Sequence, residues 1–157
     1  DLAISQKSTA DYFACCIIGV EPHTNRKYVL KIHRGRKRYH EQTDYLIKEV
    51  FGMDLIKLGI EANAYQAAQV NEMIDKVGKG KITPIYTLKD KTTRAMKLAA
   101  KCENEEILFH KSQMLLIEEL LSMPDGENDD MFDALEIAIT TATQGLRKKR
   151  SVEPGLL

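Results

Sequence analysis

Tyr12 to Val20 reads Tyr-Phe-Ala-Cys-Cys-Ile-Ile-Gly-Val, an uncharged and β-prone stretch. It is well short of the ~18 apolar residues that suggest a membrane span. It therefore reads as a strand. A strand with one wet face alternates apolar and polar residues. This one does not alternate, so both of its faces must be covered, and a layered fold with an interior strand follows.

The chain on either side supplies the layers. Pro22, Thr24 and Asn25 mark a turn, and Tyr28, Leu30 and Ile32 alternate with Val29 and Lys31, so a hairpin is expected. Residues 41–52 read as a helix with Leu46, Ile47, Val50 and Phe51 on one face, ended by Gly52. Leu55 to Ile60 reads as a strand with Glu61 at its end. Asn63 caps a helix carrying Ala67, Val70, Ile74 and Val77, and Gly78 stops it. Ile82 to Leu88 is the next strand. Asp90 caps a helix over 91–102, on which Lys91, Arg94, Lys97 and Lys101 share an arc of about 120° opposite Ala95, Met96, Ala99 and Cys102. That places the cations outward. A short strand at Ile107 to Phe109 and a Leu-rich helix from Ser112 to Leu121 follow. Asn128 then caps a last helix with a stripe of Met131, Leu135, Ala138 and Ala142. Strands alternating with helices after an opening hairpin predict an α/β domain with a mixed sheet.

A length of 157 residues and 43% hydrophobic content fit one domain, expected over 1–146, with 147–157 as a basic flexible tail. No charged-then-apolar leader opens the chain, and its start at Asp1 suggests a piece of a longer protein. Cys15, Cys16 and Cys102 have no CxxC or zinc spacing and are expected to be reduced, in a cytosolic protein. His23, His33, His40 and His110 are scattered without metal-ligand spacing. Net charge is zero, but it is segregated: Lys31, Arg34, Arg36, Lys37 and Arg38 form a basic block, Arg147 to Arg150 another, and residues 125–136 an acidic one. Such zones suit phosphate on one side and metal on the other.

Asp129, Asp130 and Asp133 crowd the start of the last helix, where acids stabilise the helix dipole. Glu61, at a strand end, adds another carboxylate. Acids converging from strand ends and a helix start hold Mg²⁺ or Mn²⁺; acids that merely cap helices hold nothing.

Four segments resemble, in order, the nuclease domain of phage and prophage large terminase subunits. They are Asp1-Leu-Ala-Ile-Ser with Ser8-Thr-Ala-Asp-Tyr-Phe-Ala, Ile60-Glu-Ala-Asn-Ala-Tyr-Gln, Lys89-Asp-Lys-Thr-Thr-Arg-Ala, and Pro124-Asp-Gly-Glu-Asn-Asp-Asp-Met-Phe-Asp-Ala-Leu. The resemblance implies an RNase H-like fold: a mixed central β-sheet flanked by helices. It implies metal-dependent endonuclease cleavage of concatemeric double-stranded DNA, with Asp1 ending the first strand, most of which lies outside this sequence. By the same resemblance Asp1 bridges two Mg²⁺ or Mn²⁺ ions, Glu61 holds one, and Asp129 or Asp130 the other, with Asp133 as a further ligand or support. Asp11 and Asn63 stand behind them. Arg34, Arg36, Lys37 and Arg38 grip DNA phosphates, and Lys91 and Arg94 position the scissile one. The family's closing motif usually has His where this chain has Asn128, which cannot act as a base. Implied partners are DNA, the terminase ATPase half, the small terminase and the portal, in the host cytoplasm and without a membrane. Gly78-Lys-Gly-Lys does not fit GxxxxGK[ST], so ATP hydrolysis is not expected. A resolvase, RNase H or transposase type of nuclease fits the same acids. A non-catalytic docking module of the packaging machine fits the same basic patches.

Overall fold

The computed structural model describes residues 12–62, 67–87 and 90–150, with side chains described to 144. Among the described residues five strands and five helices lie in this order: β1 (Phe13–Val20), β2 (Lys27–Gly35), α1 (Tyr39–Gly52), β3 (Leu58–Glu61), α2 (Ala67–Val77), β4 (Ile82–Ile85), α3 (Lys91–Glu103), β5 (Ile107–Leu108), α4 (Met114–Ser122) and α5 (Asp130–Arg150). A 3₁₀ turn at Lys79–Lys81 joins α2 to β4.

The opening hairpin forms as expected. β1 and β2 are antiparallel, with Phe13 opposite Gly35 and Val20 opposite Lys27. β2 pairs in parallel with β5, and β3 in parallel with β4. The described strands thus make two sheets, β1-β2-β5 and β3-β4.

β1 is covered on both faces, as its lack of alternation requires. Phe13, Cys15 and Ile17 enter one core with Leu46 of α1, Val70 and Met73 of α2, Ile60 and Ile82. Ala14, Cys16 and Ile18 face the second, built on Val29, Leu98, Ile107, Leu116, Phe132 and Leu135. Adjacent strand residues point to opposite faces, so Cys15 and Cys16 serve different cores, and all three cysteines are free thiols. Burial pushes the Cys15 thiol up to about 12 and raises Cys16 as well, which makes both unreactive.

Several boundaries move. β3 begins at Leu58 and includes Glu61, and α4 begins at Met114, after Gln113. Asp90 caps α3 as expected, accepting from Thr93 N at 2.9 Å. Gly78, at φ 91°, ends α2 in a conformation that favours glycine. The buried face of α5 centres on Phe132, Leu135 and Ile139, with Ala138 and Ala142 only half-buried. α5 continues through Arg150. Basic residues at a helix C-terminus are favoured by its dipole.

β3 lies hard against α5. A Cβ at Gly59 would collide with Thr141 Oγ1 and sit 2.9 Å from Ile137 Cγ2. Gly59→Ala is expected to destabilise the domain by about 1–3 kcal/mol through overpacking, read as a lower urea midpoint at unchanged m-value. No shift in the midpoint would mean that α5 can retreat from β3.

Candidate active site

The acidic helix start is built by three elements other than its own. Asp129 O accepts the first helical hydrogen bond, from Asp133 N at 2.9 Å, so α5 starts one residue later than an Asn128 cap would set it. Its next free donors are taken by a side chain from α4. Met131 N and Phe132 N donate to Glu119 Oε1 at 2.8 and 2.9 Å. The other carboxylate oxygen, Oε2, accepts from Arg34 Nη1 at 3.1 Å. Glu119 is buried, so it is at once the cap of α5 and the counter-charge of Arg34. Sequence reasoning missed it. A Glu three residues from the fully buried Leu116, on an otherwise apolar helix face, was the available signal.

On the other side stands α3. Arg94 Nη1 donates to Asp133 Oδ1 at 2.5 Å and to Glu136 Oε2 at 2.8 Å, and its guanidinium lies over the Phe132 ring at 5.2 Å. Lys91 Nζ pairs with Asp129 Oδ2 at 3.1 Å. The cation row on α3 is therefore not wholly outward. Leu98 is its buried residue, Met96 is 70% exposed, and Arg94 turns in toward the acids of α5. A guanidinium can be largely buried when charge-assisted hydrogen bonds to two carboxylates hold it, here both at Nη1, and the apolar arc predicted for α3 had no knowledge of them.

The expected site residues divide accordingly. Asp129, Asp130 and Asp133 come together with Lys91 and Arg94. Asp133 is committed to Arg94. Asp130 is buried, and among the described residues no cation lies within ion-pair distance of it. Glu61, half-buried at the end of β3, lines a cleft whose other wall includes Ala134, Ile137 and Ala138 of α5. Arg34 turns inward to Glu119 and stacks over Tyr12 at 4.9 Å. Arg36 and Arg38 are exposed, and Lys37 is half-buried beside the Tyr45 ring. Asp1, Asp11 and Asn63 lie outside the described residues. Among the described residues no group of three or more His, Cys, Asp or Glu is close enough to hold a metal.

A family model described as the terminase RNase H-like domain matches residues 1–142. The chain belongs to that family. No curated protein and no solved structure matches it. The terminase domain has the α/β composition and mixed strand pairing of an RNase H-like fold. None of its described helices is long and apolar enough to cross a membrane.

Electrostatics in the terminase domain follow from burial. Burial pushes the Asp130 carboxyl up, helped by the charge of Asp129. Burial also raises Asp133, against the pull of Arg94, and Glu119, against its helix donors and Arg34. A carboxyl raised in the folded state holds its proton more tightly there than in the unfolded chain. Its stabilising contribution is complete below the ordinary carboxylate value and is lost as pH rises through the raised one. In EDTA, the melting temperature of the wild type relative to that of Asp130→Asn is expected to fall as pH rises from about 4 toward neutral. Identical slopes in the two proteins would show that Asp130 does not contribute.

Proposed function

We propose that this domain is the metal-dependent endonuclease of a DNA-packaging terminase large subunit, cutting double-stranded DNA by phosphodiester hydrolysis. The observation that carries the proposal is Asp130: a buried carboxyl beside Asp129 at a helix start, with no cation paired to it among the described residues, in a terminase RNase H-like domain. A hard divalent ion would relieve its burial. The oxygen donors of Asp129, Asp130 and Glu61, with Asp1 by family resemblance, suit Mg²⁺ or Mn²⁺. Two such ions supply a water of lowered pKa and charge relief for the leaving 3′-oxygen.

The chain's own residues divide the remaining work. Asp129 and Asp130 present oxygens at the first turn of α5, and Glu119 fixes that turn. Arg94 holds Asp133 and Glu136 apart from the ligand set, which leaves Asp133 as support. Lys91 pairs with Asp129 at the mouth of the acidic turn, where its ammonium could hold a DNA phosphate. Arg36, Lys37 and Arg38, on the exit from β2, grip the backbone without reading sequence.

Injecting Mn²⁺ into the protein in a calorimeter tests the ligand set directly. Binding that is present in the wild type and lost in Asp130→Asn is expected, and binding unchanged by the substitution contradicts it. For the DNA surface, Arg36→Ala with Arg38→Ala is expected to weaken duplex binding evenly across sequences. It should also make the salt dependence shallower by about one unit per lost phosphate contact. An unchanged salt slope would move the DNA elsewhere on the domain.

One observation favours a second reading. Asp129 and Asp133 each pair with a cation of α3, as a helix clamp needs no metal to do. A docking module of the packaging machine would keep that clamp and show no dependence on divalent ions.

A further inference from the structure

The cap of α5 does not come from the residue that stands at the cap position. Asp129 occupies that position: its carbonyl accepts from Asp133 N at 2.9 Å, and the helix starts at Asp130. An aspartate there ordinarily turns its carboxylate back onto the N–H groups two and three residues on. Asp90 does so at the start of α3, where Oδ1 accepts from Thr93 N at 2.9 Å. At α5 the corresponding groups are Met131 N and Phe132 N, and both donate to Glu119 of α4 instead. The Asp129 carboxylate, 41% exposed, is turned away to Lys91 at 3.1 Å. Two aspartates at two helix starts of one chain are thus used differently.

Stability alone does not call for the substitute. Asp is among the best capping residues and is already in place, whereas a buried carboxylate is unfavourable unless it is paired and hydrogen-bonded. The Glu119 side chain is only 4% exposed and depends on Arg34 for its counter-charge. Arg34 is itself 25% exposed and lies over the Tyr12 ring at 4.9 Å. What the arrangement secures is the freedom of Asp129. We infer that Glu119, held by Arg34, is a positioning residue: it caps α5 in place of Asp129, so that the Asp129 carboxylate stays open to a divalent ion beside Asp130. The ion rests on the nuclease reading above; the substitution of one cap for another does not. Arg34 thereby leaves the phosphate grip to which its sequence neighbours assign it and serves the acidic turn. Arg36, over the same Tyr12 ring at 5.3 Å, stays exposed for DNA.

The test removes the substitute cap without stranding a charge. Arg34→Met combined with Glu119→Leu replaces the buried pair by apolar side chains, an exchange that is often neutral or stabilising, so the protein folds. Asp129→Ala is then made in this background and in the wild type, and both are unfolded with urea in EDTA. In the wild type Asp129 gives up only its pair with Lys91, and little change is expected. In the double variant Asp129 has taken over the cap, and its loss is expected to lower the folding equilibrium constant by about fivefold or more, the worth of an N-cap. Equal effects in the two backgrounds overturn the inference. Titration with Mn²⁺ in a calorimeter reads the function. The double variant is expected to bind about tenfold or more weakly than the wild type. Glu119→Gln, whose amide oxygen still receives both donors, is expected to stay within about threefold of it. Unchanged affinity in the double variant overturns the inference and leaves the nuclease reading standing. A wild type that binds no Mn²⁺ overturns both.

Discussion

Glu119→Ala is expected to lower the stability of the domain by about 3–5 kcal/mol, the range found when one partner of a buried ion pair is removed. Two losses coincide. Met131 N and Phe132 N, in the first turn of α5, lose their acceptor at 2.8 and 2.9 Å. Arg34 loses the carboxylate at 3.1 Å that balances it beneath the sheet. A domain of this size is stable by about 5–15 kcal/mol, so the variant should stand near the edge of folding. Glu119→Gln separates the two losses. Its amide oxygen can still receive the helix donors, while the charge that holds Arg34 is gone, so about half of the penalty is expected. Chemical denaturation of the three proteins checks this. Equal midpoints for Glu119→Ala and the wild type would mean that α5 is held by its apolar face alone.

The second large effect concerns chemistry. Asp130→Asn keeps the size of the side chain and removes its charge. On the proposed mechanism it is expected to reduce DNA nicking by about 10²–10³-fold or more, the order seen when a principal electrostatic group of an active site is lost. Stability should move the other way, because a buried carboxyl with a raised pKa is replaced by a neutral group. Lost activity with kept or increased stability is the signature of a ligand, whereas a structural acid would lose both together. Asp133→Asn is the contrasting case. It breaks the 2.5 Å pair with Arg94 and is expected to cost stability first.

Local and apolar features were legible in the sequence. The uncharged run at 12–20 announced a strand covered on both faces, and Cys15 and Cys16 indeed enter opposite cores. Asp90 was read correctly as a cap because its partner, Thr93 N, is three residues away. Long-range polar pairs were not legible. Glu119 reaches backbone donors twelve and thirteen residues on, and an arginine eighty-five residues back. Arg94 was read on the outward arc of α3 because periodicity weighs only hydrophobicity, and its partners Asp133 and Glu136 lie on another helix. Asp129, Asp130 and Asp133 were read as one acidic cluster. Their division into a lysine-paired, a buried and an arginine-paired carboxylate depends on how α3 and α5 pack, which spacing along α5 does not encode.

Cleavage of supercoiled plasmid at low salt, with Mn²⁺, Mg²⁺, Ca²⁺ or EDTA and with Asp130→Asn alongside, bears most directly on the proposed nuclease. Nicked and linear products with Mn²⁺ or Mg²⁺ alone, lost in the variant, are the expected result. Cutting that persists in EDTA, or that Asp130→Asn leaves at the wild-type rate, would contradict it.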